Sequence, residues 1–179
     1  EAVPTPLSPY GLAKHAGERY VQLAAEEHGF TYVILRYGNV YGPRQNPVGE
    51  AGVVAIFIEN MLNGKKAVIF GDGKQTRDYV YVADIVAANS YALTIKTNGI
   101  FNLGTEKEAS VQEVHNILQE ILVTGEDPEF AEKRTGEVFR GALNCQAAKN
   151  ILGWKAAVPL KEGIEKTVQW FKEQKELEK

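Results

Sequence analysis

Tyr10 and Lys14 stand four residues apart, a spacing that on a helix puts both side chains on one face, where they can meet a common ligand. A phenol titrating near about 10 is a poor base at neutral pH. A neighbouring ammonium favours the phenolate by Coulomb attraction and moves the group toward acid/base use. With 8 tyrosines and 14 lysines in 179 residues, chance supplies about 0.6 such pairs, so by spacing alone a surface pair on a helix explains the match as well. Three further clusters carry polar chemistry. Arg36-Tyr37-Gly38-Asn39-Val40-Tyr41-Gly42-Pro43-Arg44-Gln45 offers an asparagine amide among glycine amides, which suits phosphate oxygens as well as it suits a plain strand-to-helix loop. In Gly71-Asp72-Gly73-Lys74-Gln75-Thr76-Arg77-Asp78-Tyr79, Thr76 stands where a dinucleotide fingerprint needs its third glycine. Arg77 there is either a forked contact for a diphosphate or half of an Arg–Asp surface pair behind a β-turn. Arg134-Thr135-Gly136-Glu137 reads as Arg134 on phosphate with Glu137 accepting ribose hydroxyls, or as a solvated charged loop.

The elements that must hold these residues follow from capping and periodicity. Ser8-Pro9 opens a helix and Gly29 closes it, with Leu12, Ala13, Ala16, Tyr20, Leu23 and Ala24 at helical spacing. Gly11, Ala13, Ala16 and Gly17 keep much of that helix thin. Thr31 to Leu35 is a short β-rich apolar run, the pattern of a strand buried on both faces, and the order helix then strand predicts an α/β fold. The cluster from Arg36 lies just past this strand, where ligand crevices of open α/β sheets form. Gly38 to Arg44 is a loop by composition, and Val53 to Leu62 is a helix ended by Asn63-Gly64. Ala67 to Phe70 is a strand, Gly71 to Gly73 a turn, Asp78 to Val82 extended, Asp84 to Lys96 helical, and Ile100 to Leu103 another strand. Ser110-Val111-Gln112-Glu113 is a capping box before Val114, Ile117, Leu118 and Ile121. Glu126 to Gly141 reads as irregular or extended, and the end as two helices, Gln146 to Leu152 and Leu160 to Lys175.

Composition bounds the answer. The chain is 44% hydrophobic and 24% charged with a net charge of −3, which excludes disordered and collagen-like classes. At this length folding hides roughly 70% of the surface of the unfolded chain, enough for a core without staples. A pI of 5.7 and the absence of basic runs argue against non-specific nucleic-acid binding. Apolar stretches such as Val53 to Ile58 are far shorter than the roughly 20 residues that span a bilayer, so no membrane span is expected. One cysteine, Cys145, excludes an internal disulfide and fits a reducing compartment; with no secretion signal at Glu1 to Pro4, the expected location is cytoplasmic. The only methionine is Met61, which predicts a fragment. His15, His28 and His115 lack metal-ligand spacing, and Walker loops, paired zinc cysteines and a Gly-x-Ser-x-Gly elbow are absent.

Taken in order, Ser8 to Lys14, Arg36 to Gln45, Gly71 to Val82, Arg134 to Val138 and Leu152-Gly153-Trp154 closely resemble the extended short-chain dehydrogenase/reductase family, specifically its nucleotide-sugar epimerases. Asn46 to Val54 looks most like the UDP-glucose 4-epimerases within it. The resemblance spans nearly the whole chain. It implies the C-terminal part of a Rossmann-type doubly wound sheet plus a small α/β substrate-binding lobe. Residues 1–49 would carry the catalytic helix and the following strand, and 50–179 mainly the lobe, with 79–106 returning to the sheet. It implies NAD as cofactor, held by Tyr10, Lys14 and Tyr37, with Tyr10 as catalytic acid/base and Lys14 on the nicotinamide ribose, favouring the ionised phenol. A UDP-sugar would be the substrate, with Asn39, Arg77 and Arg134 on the diphosphate, Val53, Val54, Ile69 and Phe70 near the uracil, and Glu137 on the ribose. The family usually has aspartate at the Glu137 position, and its Gly-rich dinucleotide fingerprint and catalytic serine or threonine do not precede Tyr10 here, so the chain looks like a C-terminal half that binds NAD poorly. The resemblance further implies a homodimer through the Tyr10–Lys14 helix, an arrangement to which an unpaired edge on the Tyr32 to Leu35 strand would add. A dehydratase or decarboxylase of the same family, a UDP-sugar-binding lobe without catalysis, and an interaction domain are the alternatives.

Overall fold

The computed structural model describes residues 4–49, 51–134 and 138–177. Its first helix, α1 (Pro9–His28), starts where the Ser8 hydroxyl accepts the Gly11 amide at 3.1 Å and stops at Gly29, whose amide returns to the Ala25 carbonyl. There follow β1 (Val33–Tyr37), β2 (Asn39–Tyr41), α2 (Val53–Leu62), β3 (Val68–Phe70), β4 (Thr76–Arg77), β5 (Tyr79–Tyr81), α3 (Val82–Ala92), β6 (Gly99–Leu103), β7 (Ala109–Ser110), α4 (Val111–Leu122), β8 (Glu129–Ala131) and α5 (Leu160–Leu177).

Two parallel pairings stand side by side. Strand β1 pairs with β6, Val33 opposite Gly99 through Tyr37 opposite Leu103, and β2 pairs with β5, Asn39 opposite Tyr79. Gly38 joins them, its amide donating to the Leu103 carbonyl at 2.8 Å. Helix α3 makes the crossover from β5 to β6, the connection that parallel strands require. On the other side β3 pairs in parallel with β8, and β4 antiparallel with β7. Helices α2, α4 and α5 pack on one another there around Phe57, Ile58, Leu118, Ile164 and Val168. A second core of Val80, Phe101, Leu103, Leu152 and Trp154 lies under α3 and β6. The α/β architecture is thus as expected.

Several local expectations change. Strand β1 starts two residues later than the apolar run and is half-buried rather than buried on both faces. Among the described residues β6 is its one strand partner, and α1 buries only Ala25. Asn39 to Tyr41, expected as loop, is a strand because β5 supplies a ladder that composition does not show. The stretch from Glu126, expected as irregular or extended, does contain an extended piece, β8, with β3 as template. Helix α3 starts at Val82 and ends at Ala92, short of Lys96. The expected helix from Gln146 contains a π-helical turn, Ala148–Leu152, ended by Gly153 in the left-handed conformation. The capping box forms in full: Ser110 Oγ accepts the Glu113 amide at 3.1 Å, and the Glu113 carboxylate accepts the Ser110 amide at 2.6 Å.

Candidate functional site

Tyr10 and Lys14 lie on the first turns of α1, where the Ser8 cap and Pro9 fix the start of the helix. One helical turn brings them together, with the Lys14 ammonium 5.3 Å from the centre of the Tyr10 ring. Tyr10 is 71% exposed, so the phenol faces outward and is open to a ligand. Lys14 also borders a cleft of about 320 Å³ shared with His15, Glu18 and Arg36. In it Arg36, from β1, forks onto Glu18, from α1, through Nε–Oε1 at 2.6 Å and Nη2–Oε2 at 2.5 Å. The hydrogen bond from Arg36, aided by its charge, holds the Glu18 carboxyl below its usual range against the opposing effect of burial.

The end of β1 delivers the next residues. The Tyr37 hydroxyl donates to Asn89 Oδ1 on α3 at 3.1 Å. Asn39 is exposed at the start of β2, and its backbone N–H donates to the Asp78 carbonyl at 2.7 Å. A Cβ on Gly38 would stand 2.7 Å from that same carbonyl oxygen, so only glycine allows β1 and the Asp78 backbone to approach this closely. Asn39 is therefore held next to the residue that follows Arg77.

Arg77 and Arg134 each contact a residue that lines one cavity, Val138 and Phe70 respectively. The cavity volume is about 270 Å³, and Phe70, Gln75, Lys133, Val138 and Phe139 are among its walls. Arg77 Nη1 donates to the Val138 carbonyl at 2.6 Å and to the Thr76 carbonyl at 2.8 Å. The Arg134 guanidinium lies 3.9 Å from the centre of the Phe70 ring, a cation–π stack. The Arg77–Asp78 surface pair, the alternative to a diphosphate contact for Arg77, is not seen among the described residues, because Asp78 is 3% exposed and turned inward. Its carboxylate accepts the Thr105 amide at 2.7 Å, the Thr105 hydroxyl at 2.6 Å, and the Glu106 and Leu143 amides at 3.1 Å each. That hub fixes the strand from which Arg77 projects.

The apolar candidates divide. Phe70 and Val53 are partly exposed, whereas Val54 and Ile69 are buried in the core at 1% and 0% exposure. Any ligand contact at those two positions must come from the backbone. Glu137 lies outside the described residues.

Four participants were not singled out from the sequence. Lys133 and Phe139 line the cavity and touch each other, the ammonium 5.5 Å from the ring centre. Gln75, 6% exposed, ties the turn after β3 to the strand by donating to the Phe70 carbonyl at 2.8 Å. Glu18 holds α1 to β1. The sequence signal for Glu18 is its position one turn beyond Lys14; for Lys133 and Phe139 no signal exists until β8 pairs with β3. Among the described residues no group of three His, Cys, Asp or Glu side chains could hold a metal ion, and no helix is long and apolar enough to cross a membrane.

The model of the NAD dependent epimerase/dehydratase family matches residues 1–104. A protein of Methanocaldococcus jannaschii named putative UDP-glucose 4-epimerase is 50% identical over 167 residues, covering 93% of this chain and 54% of that protein. A UDP-glucose 4-epimerase of Mycolicibacterium smegmatis is 44% identical over 168 residues, with the same 93% and 54% coverage. The crystal structure of UDP-glucose 4-epimerase from Thermotoga maritima with UDP-glucose superposes with a TM-score of 0.92 at 45% identity, covering 97% of this chain and 59% of that one. The chain spans about half the length of the curated relatives it matches.

Proposed function

The chain belongs to the NAD dependent epimerase/dehydratase family, and from that premise we propose that it is the C-terminal portion of an enzyme that inverts C4 of a UDP-hexose through a transient 4-keto sugar. The observation that carries this reading is the Tyr10–Lys14 pair, aimed from one exposed turn of α1 with the ammonium 5.3 Å from the phenol ring. In the proposed reaction Tyr10 takes the proton of the sugar 4-hydroxyl as the C4–H bond breaks, and returns it after the keto sugar has turned its other face. The chemistry NAD would supply when bound is that of a reversible hydride acceptor for C4.

The residues present fit one end of that cofactor. The exposed Tyr10 and Lys14 side chains leave room for a ribose and a nicotinamide, and Tyr37 stands at the C-terminal end of β1, where an α/β sheet binds ligands. The 179 residues contain no Gly-rich pyrophosphate loop. Grip on the remainder of NAD is assigned to sequence outside this chain. Asn39, Arg77 and Arg134 clamp the diphosphate; support comes from the approach of the Asn39 backbone to Asp78 and from the contacts of the two arginines with Val138 and Phe70, which line one cavity. The half-exposed Phe70 ring, with Val53 and the backbone at Val54 and Ile69, receives the uracil, and Glu137 the ribose. Holding the nucleotide tightly and the hexose loosely lets one bound sugar offer both faces.

The same reading divides the chain at about residue 49 into a sheet portion and a substrate lobe, with 79–106 returning to the sheet, as the β1–β6 and β2–β5 pairings suggest. It assigns a homodimer through α1, on whose surface Tyr10, Leu12, Tyr20 and Leu23 are exposed. It assigns a cytoplasmic location, in keeping with the free thiol at Cys145.

The test uses the full-length protein with UDP-galactose. Tyr10→Phe is expected to abolish epimerisation while UDP affinity stays within about 2-fold, since the clamp is untouched. Retained turnover would refute the assignment. The chain as it stands is expected to bind UDP in a calorimetric titration, more weakly after Arg77→Ala, and to show no turnover with added NAD; turnover would overturn that part.

A further inference from the structure

The fork between Arg36 and Glu18 sits one helical turn from Lys14, and its position suggests more than a tether. Glu18 is four residues beyond Lys14 on α1, so the carboxylate and the ammonium are neighbours on the same face. Lys14, Glu18 and Arg36 all border one cleft. A flexible lysine with a carboxylate one turn away is within pairing reach of it when nothing else occupies that carboxylate. Here Arg36 occupies it. Its planar guanidinium covers both oxygens at 2.6 and 2.5 Å, a two-bond geometry that an ammonium cannot match. Among the described residues the other titratable or charged groups near this spot are His15, whose Nδ1 is 3.8 Å from Glu18 Oε2, and Arg19, whose guanidinium is turned to Gln22 at 2.5 Å.

We propose that Arg36 is a positioning residue for Lys14: by holding the Glu18 carboxylate in a fork it keeps that carboxylate from capturing the ammonium that serves Tyr10. The inference rests on the reading of Tyr10 and Lys14 given above. Arg36 touches neither sugar nor cofactor here; its effect on Lys14 runs through Glu18. Without the guanidinium, Glu18 and Lys14 pair, and the ammonium is drawn down the helix away from the phenol ring.

Two measurements test this, one of which does not depend on turnover. In this chain, with no ligand, the Lys14 ammonium signal is followed by ¹H–¹⁵N NMR of the lysine side chains. Arg36→Gln is expected to slow exchange of the Lys14 ammonium protons several-fold through pairing with Glu18, and the double variant Glu18→Gln/Arg36→Gln to return it to the wild-type rate. Unchanged exchange in Arg36→Gln overturns the proposal. In the full-length enzyme, Arg36→Gln is expected to lower kcat about 5-fold with KM nearly unchanged, and the double variant to restore kcat. A double variant as slow as the single one shows a tether only and overturns it as well. Should Arg36→Gln not fold, Arg36→Lys, which keeps the charge and loses the fork, is expected to give an intermediate effect in both assays; a wild-type result there counts against the proposal. Retained turnover in Tyr10→Phe would refute the catalytic reading while leaving the NMR result to decide whether Arg36 withholds Glu18.

Discussion

Replacing Asp78 by alanine should cost about 3–5 kcal/mol of folding stability. The carboxylate is 3% exposed and accepts four hydrogen bonds, from the Thr105 amide and hydroxyl and from the Glu106 and Leu143 amides. Alanine removes the acceptor and strands three backbone N–H groups, each costing about 1–1.5 kcal/mol when left without a partner. Glu106 is exposed and can recruit water, which trims the total; the cavity left behind adds to it. Against the roughly 5–15 kcal/mol that stabilises a domain, this is a large fraction. Asp78→Asn keeps one accepting oxygen and turns an NH₂ toward donors, for an expected loss of about 2 kcal/mol. Gly104→Ala should behave like these variants, because its new methyl would collide with Asp78 Oδ2. Equilibrium unfolding in urea, read by circular dichroism, gives each value from the shift in midpoint. If Asp78→Ala loses less than about 1 kcal/mol at an unchanged slope, the hub does not hold the loops as argued. The stability loss should carry a binding phenotype, since the Asp78 backbone joins Arg77 to the amide of Asn39.

Removing the guanidinium stacked on Phe70, in Arg134→Ala, is expected to weaken UDP binding about 10-fold by calorimetry, with Arg134→Lys recovering part of the loss because charge survives and planarity does not. Burial pushes the Cys145 thiol up to about 11, so a thiol reagent at pH 8 should leave the native chain unlabelled and label it in denaturant; rapid native labelling would contradict the burial. Burial holds the His115 imidazole below its usual value near 6.5, outweighing its hydrogen bond to Asn116 and the charge of Asp127. Just below pH 6.5 the unfolded chain therefore binds a proton that the folded chain refuses, and stability falls with pH in that window. Compared between pH 7 and 5.5, the wild type should lose more stability than His115→Gln; equal losses would show that the imidazole is not desolvated.

Much of this protein was legible one residue at a time. Ser8, Gly29 and the Ser110–Glu113 box mark helix ends by their own hydrogen-bonding chemistry, and the helical period alone sets Tyr10 beside Lys14. These are local facts, complete within one or two turns of chain, which is why composition and spacing reveal them. Strand β2 was not legible, and β8 only as a stretch that was irregular or extended, because a three-residue strand exists only by virtue of the strand it pairs with, and those partners lie 40 and 61 residues away in register. For the same reason the structure alone decided that Asp78 turns inward while Arg77 reaches Val138, and that Arg36 closes on Glu18. Charge and sequence neighbours made Asp78 a natural partner of Arg77; the amides of Thr105, Glu106 and Leu143 and the Thr105 hydroxyl, brought in by folding, offered it four hydrogen bonds at a largely buried site, a better solution than one ion pair in solvent.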